Sequence, residues 1–134
     1  MTTYIRPVHY HETDKMAVVH HSNYVKYMEE SRVDALRQIG IEYAAFEADG
    51  IVSPVVGIQV EYKHPSVFGD TLTIEVTQKC YTGARLCYEY VMRNQRGELV
   101  CKATSEHCFI YQNRICSLQR SFPQWHEKLA ANQQ

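Results

Sequence analysis

Two short stretches near the start of the chain hold the residue types that could do chemistry: Tyr10-His11-Glu12-Thr13-Asp14, and Val18-Val19-His20-His21-Ser22-Asn23-Tyr24. The first ends a strand-like segment on a carboxylate, Asp14. The second opens a helix with small polar residues, and Glu29 and Arg32 follow along that helix. The first turn of a helix carries backbone N–H groups with no intrahelical acceptor, and these suit a developing oxyanion. A carboxylate a few residues upstream can attack a carbonyl beside them or deliver water to it. The combination points to acyl transfer. Taken alone, Asp14 reads more simply as a turn residue closing a strand-to-loop junction.

The elements that would position these residues follow from periodicity. Thr3–Tyr10 reads as a first strand, with Pro7 suited to an edge or a bulge. Asn23–Ile39 reads as the one clear helix. Its stripe of Tyr24, Met28, Ser31, Ala35 and Ile39 is small in the middle. Ser22 or Asn23 can cap its start, and Gly40 stands where a C-terminal glycine belongs. A turn or two of helix is expected within Tyr43–Asp49 before Asp49-Gly50 turns the chain. Val56–Tyr62, Thr71–Cys80, Arg85–Arg93 and Leu99–Tyr111 alternate apolar and polar residues, as antiparallel strands with one covered face do. Asn94–Glu98 reads as a turn, and Phe122–Ala131 as a short surface helix. One long helix ahead of four strands gives an α+β arrangement, with the helix on the covered face.

With 134 residues, 1–134 reads as a single domain. A net charge of -1 offers no basic excess for nucleic acid and no acidic tail. No apolar run approaches the roughly 20 residues of a membrane span, and the N-terminus has no secretory pattern. The five cysteines, Cys80, Cys87, Cys101, Cys108 and Cys116, are odd in number and lack Cys-x-x-Cys pairs. They read as reduced thiols in a cytoplasmic protein.

The chain resembles the hotdog-fold acyl-CoA thioesterases, in particular the 4-hydroxybenzoyl-CoA thioesterase-like family. Tyr10-x-x-Thr13-Asp14, His21-x-x-Tyr24, Glu29-x-x-Arg32 and Tyr62-x-x-Pro65-x-x-x-Gly69-Asp70 carry the resemblance. It implies a curved antiparallel five-stranded sheet wrapped around one long central helix. It also implies homodimers or homotetramers with active sites at the protomer interface. The expected reaction is hydrolysis of an acyl-CoA thioester to a carboxylic acid and coenzyme A. One departure stands out: many members carry Gly after the catalytic Asp and in the loop to the helix, whereas here the loop is Lys15-Met16-Ala17-Val18-Val19. A Cβ there narrows the backbone options.

The resemblance places Asp14 as the catalytic carboxylate, acting as nucleophile or general base. His21 is expected to orient or polarise the substrate, and Tyr10 to reach Asp14 or the thioester, with an aromatic wall as its plainer role. Ser22, Asn23 and Tyr24 are expected to bind substrate at the helix start. Lys63, His64 and Arg85 are the candidates for the coenzyme A phosphates, although scattered cations are ordinarily solvated surface. Glu29 and Arg32 could be a plain i, i+3 surface pair or could help fix the helix and interface.

His9 and His11 share a strand face with Asp14 nearby, which raises a metal site, but no recognised ligand signature accompanies them. The expectation is no metal and no dissociable cofactor, with coenzyme A present only as part of substrate and product. Competing readings are hydrolysis of acyl groups on an acyl carrier protein, a hotdog hydratase or dehydratase, and a non-catalytic acyl-CoA-binding protein. The acyl group itself is not legible in the sequence.

Overall fold

A computed structural model describes residues 1–133. The chain runs through β1 (Thr2–Pro7), a 3₁₀ turn (Tyr10–Glu12), α1 (Ser22–Gln38), α2 (Tyr43–Ala48), β2 (Ile51–Val52) and β3 (Val55–Tyr62). It continues through β4 (Thr71–Tyr81), β5 (Arg85–Arg93), β6 (Leu99–Cys108), β7 (Ile110–Tyr111), β8 (Arg114–Ile115), α3 (Leu118–Ser121) and α4 (Pro123–Asn132). Five strands form an antiparallel sheet in the order β1-β4-β5-β6-β3, and β2, β7 and β8 form a second, small sheet.

The period-2 pattern decides which face of the main sheet is covered. Leu72, Ile74 and Val76 of β4, Leu86, Tyr88, Tyr90 and Met92 of β5, and Val100 and Ala103 of β6 are all buried. Against them lie Tyr24, Tyr27, Met28, Ser31, Ala35 and Leu36 of α1. This is the helix-on-sheet core anticipated from the stripe. At its small centre, Ser31 is fully buried and its hydroxyl donates to the Met28 carbonyl. Gly40 takes φ +88°, and the Gly40 and Ile41 amides return to the Arg37 and Leu36 carbonyls, closing the helix as a C′ glycine does.

Several boundaries differ from those the sequence suggests. β1 stops at Pro7, so Tyr10 and His11 lie on a 3₁₀ turn and not on a strand. The expected Leu99–Tyr111 strand divides after Cys108, and its last two residues join the small sheet. The five free thiols are also corrected. A bulge between Gln78 and Cys80 brings Cys80 opposite Cys87, with 5.0 Å between their Cα atoms, and the two form a disulfide. Sequence spacing does not display a register shift, which is why the pair was not visible. Cys101, Cys108 and Cys116 are free. Among the described residues, no helix is long and apolar enough to cross a membrane.

β3 is one edge of the main sheet, opposite β1. It shows apolar side chains to solvent, with Val56 58% and Ile58 48% exposed.

Candidate active site

The segment from Glu12 to His20 folds back on itself as a tight hairpin. The His20 amide donates to the Glu12 carbonyl, Thr13 pairs with Val19, and the Asp14 amide donates to the Val18 carbonyl. The turn at its tip needs a left-handed residue, and Ala17 supplies it at φ +63°. The loop without glycine therefore keeps a glycine-type backbone, at the cost of a Cβ in the left-handed region.

Asp14 is exposed at the start of this turn. Its Oδ1 accepts the Met16 amide at 2.8 Å. Its Oδ2 has no partner among the described residues, so one carboxylate oxygen is anchored and the other faces outward. Opposite it, the hairpin leads directly into α1. Asn23 N–H donates to the His20 carbonyl, Tyr24 N–H to the His21 carbonyl, and Ser22 N–H to His20 Nδ1 at 3.3 Å. His21 N–H has no acceptor among the described residues. The expected cluster of open amides at the helix start is thus reduced to one good candidate, the His21 amide, three residues beyond the partner of Asp14 in the hairpin.

The other predicted site residues divide. The N-cap residue of α1, His21, makes no side-chain cap bond. The Ser22 hydroxyl lies 2.8 Å from His20 Nδ1. Asn23 is buried, and its side-chain amide donates to the Glu12 and His20 carbonyls. That is a brace for the hairpin, made by a residue expected to touch substrate. Tyr24 is buried with its ring 5.5 Å from that of Tyr62. His21 is exposed, against the rings of His20 and Tyr62. Val19, His21, Tyr24, Tyr62, Lys63, His64 and Pro65 line one open cleft of about 260 Å³.

Lys63 and His64 flank this cleft and reach Glu61 at 3.6 Å and Glu98 at 3.3 Å in half-exposed pairs. Arg85 is not brought to it. Arg85 opposes Cys108 and pairs with Glu106, whereas Tyr62 opposes Cys101, seven positions away along β6. Tyr10 is also outside the cleft lining. It is 74% exposed, and its ring packs edge-on against Phe68 at 5.6 Å. Glu29 and Arg32 form no ion pair with each other. Arg32 instead donates to the Tyr90 hydroxyl at 3.0 Å, heading a buried chain through Ser105 to His107. Burial lowers the His107 pKa to about 4, with the Arg32 charge adding to the effect.

The Gly69-Asp70 end of the last motif is a structural turn. Gly69 takes φ +100°, and buried Asp70 accepts from the Val67 amide and the Gln95 side chain. Burial raises the Asp70 carboxyl, but these bonds and Arg96 outweigh it and hold it below the ordinary range.

The residues missed in the sequence centre on Glu12, two positions before Asp14. Glu12 is only 3% exposed. Its carboxylate receives Arg6 on both oxygens, at 3.0 and 2.6 Å, and also the His9 amide and the Tyr27 hydroxyl, each at 2.8 Å. Arg6 further reaches Glu30 at 2.8 Å and lies over the Tyr27 ring. Burial pushes the Glu12 carboxyl up, but Arg6, the His9 amide and Tyr27 more than offset this, and Glu12 stays ionised below the usual carboxylate range. Ligand atoms of His9, His11 and Glu12 come within 4.8 Å of one another. Glu12 already serves Arg6 with both oxygens, so a cation there would compete with a guanidinium. The available signal was Arg6 itself, two residues along the strand from Tyr4 and two before Val8, on the side that turns inward.

An antiparallel five-stranded sheet packed on one long helix is the fold of the hotdog thioesterases. Residues 8–132 match the thioesterase-like superfamily, and the chain belongs to that family. It is 37% identical over 121 residues to YneP of Bacillus subtilis, a candidate acyl-CoA thioesterase by name, with 89% of this chain and 88% of that protein covered. It is 29% identical over 105 residues to a 1,4-dihydroxy-2-naphthoyl-CoA hydrolase of Thermosynechococcus vestitus, covering 78% of this chain and 72% of that one. Among solved structures, a DHNA-CoA thioesterase from Staphylococcus aureus superposes with a TM-score of 0.92 at 32% identity, over 97% of this chain and 89% of that chain.

Proposed function

We propose that the enzyme hydrolyses an acyl-CoA thioester to a free carboxylic acid and coenzyme A, with Asp14 as the catalytic carboxylate. The observation that supports this reading is that Asp14 Oδ2, on the hairpin, and the His21 amide, where the hairpin enters α1, are both without a partner among the described residues. Asp14 attacks the thioester carbonyl, the C–S bond breaks to expel coenzyme A as its thiolate, and water then hydrolyses the resulting mixed anhydride to the free acid and Asp14. Alternatively, Asp14 removes a proton from a water that attacks the carbonyl directly and expels the same thiolate. The His21 N–H, at the positive end of α1, faces the developing oxyanion. Lys63 and His64 exchange their surface carboxylates for coenzyme A phosphates. Coenzyme A enters only as substrate, and no metal takes part.

The rings of His21, Tyr24 and Tyr62 around the cleft suit a flat aromatic acyl group. The names of the naphthoyl-CoA hydrolase relatives support the same choice. Purified protein is assayed for thiol release on aromatic acyl-CoAs, long-chain acyl-CoAs and an acyl-loaded carrier protein. Fastest release from the aromatic thioesters is expected. Preference for the carrier protein would overturn the coenzyme A assignment, and hydration of an enoyl-CoA without thiol release would overturn hydrolysis itself.

The working unit in this reading is a homodimer. An edge strand with open backbone groups and exposed Val55, Val56, Ile58 and Tyr62 invites a second copy to extend the sheet. Tyr62 also lines the cleft, so that second copy would stand beside the site.

A further inference from the structure

Glu12 stands two residues before Asp14 and is tied to four parts of the chain. Its carboxylate holds Arg6 on β1, the His9 amide at the 3₁₀ turn and the Tyr27 hydroxyl on α1. Its carbonyl accepts from the His20 amide, on the return arm of the hairpin, and from the Asn23 side chain on the first turn of α1. The hairpin bearing Asp14 has few other anchors. Its tip is exposed from Asp14 to Ala17, and the Val19 amide reaches the Ser66 carbonyl at its base. Resting on the reading of Asp14 as the catalytic carboxylate, we infer that Glu12 is a positioning residue: its buried bonds to Arg6 and Tyr27 set where the Asp14 carboxylate stands relative to the thioester.

The physical argument is one of stiffness. A carboxylate on an exposed five-residue turn would sample many orientations, and a displacement of about 1 Å can cost roughly a hundredfold in rate. A bidentate Arg–carboxylate pair fixes both direction and distance, because the guanidinium fork matches the two oxygens. Here that pair is buried and shielded from water. Arg6 is itself held by Glu30, the Pro7 carbonyl and the Tyr27 ring. The anchor is therefore fixed from β1 and α1 together, the same two elements that frame the turn.

The test is a kinetic cycle on full-length protein with an aromatic acyl-CoA, using Glu12→Gln, Asp14→Asn and the double variant. Val76→Ala, a buried β4 position away from the hairpin, serves as a control for lost stability. Glu12→Gln keeps the shape and removes the charge that orients Arg6. Its kcat is expected to fall about 10- to 100-fold, with KM within about threefold. A residue that acts through Asp14 loses its effect once Asp14 is gone, so Glu12→Gln should lower the residual rate of Asp14→Asn by less than about twofold.

Val76→Ala should keep kcat despite a lower Tm. Wild-type kcat in Glu12→Gln, while Asp14→Asn is inactive, would overturn the inference and leave the catalytic reading intact. A full Glu12→Gln effect persisting in the Asp14→Asn background would also overturn it. Full activity in Asp14→Asn would instead sink the catalytic reading beneath it. Should Glu12→Gln not fold, Tyr27→Phe goes through the same cycle. It keeps the ion pair and removes one donor, and a severalfold kcat loss that vanishes without Asp14 is expected.

Discussion

Around Glu12, the strong polar groups find their partners inside the chain. Along the cleft past Tyr62, they are paired only at the surface. Arg6 and Glu12 are buried, bidentate and braced from two elements. Lys63 and His64 meet Glu61 and Glu98 at longer range in half-exposed pairs. The first arrangement resists movement, whereas the second is easily exchanged. An enzyme that must hold one carboxylate still and still accept a large, charged, departing substrate needs both. In our reading, the difference separates a half of the site that fixes geometry from a half that meets solvent and coenzyme A.

Breaking the rigid half should have the largest effect. Arg6→Met leaves Glu12 buried and charged without its partner. Loss of about 3–5 kcal/mol is expected in urea denaturation, the usual cost of removing one member of a buried pair. A loss below about 1 kcal/mol would show that the pair behaves like a surface bridge, and the contrast would collapse.

Acid should loosen the buried parts of the fold. The folded state holds His107 neutral down to about pH 4, whereas the unfolded chain protonates near 6.5. Stability therefore carries no penalty from this group above pH 6.5 and falls as pH drops from 6.5 to 4, by up to about 3 kcal/mol. Glu12, with its carboxyl held low, contributes fully above its ordinary 4.5 and loses that contribution only as pH falls below it. Tm should fall steadily between pH 6.5 and 4. A flat Tm across that interval would contradict a buried neutral His107.

The open half should yield smaller changes. Lys63→Ala with His64→Ala should raise KM for an acyl-CoA about fivefold, leave kcat within about twofold, and lose most of its effect at high salt, as exposed ionic contacts do. Unchanged KM at low salt would remove both residues from coenzyme A binding. Smallest of all, Ala17→Gly relieves a left-handed alanine and should add up to about 1 kcal/mol of stability, less the entropy of a freer unfolded chain. A destabilised variant would mean that the Ala17 methyl supports the turn.

How much of this was legible depended on whether the signal was local. The α1 stripe, the Gly40 stop and the alternation in β4, β5 and β6 are local patterns, and the structure follows them. Asp14 and the helix start were visible because they lie close in sequence. Glu12 was in view between Tyr10 and Asp14, but its meaning depends on Arg6 and on Tyr27, fifteen residues away. Only the packing of β1 against α1 joins the three. The Cys80–Cys87 disulfide depends on a one-residue bulge, and the placement of Arg85 away from the cleft depends on strand register. Asn23 was read as a substrate contact because of its place at the helix start. Its burial, which makes it a brace, is a tertiary fact.

The central claim is that the Asp14 carboxylate, two residues past the Glu12 anchor, does the chemistry. Asp14→Asn preserves the side-chain shape and the Oδ1 acceptor for the Met16 amide while removing the charge. Measured by thiol release at saturating aromatic acyl-CoA, kcat should fall by roughly 10²–10⁴ with KM and Tm nearly unchanged, the range for loss of a positioned base or nucleophile. A variant that keeps half of the wild-type kcat would contradict the account.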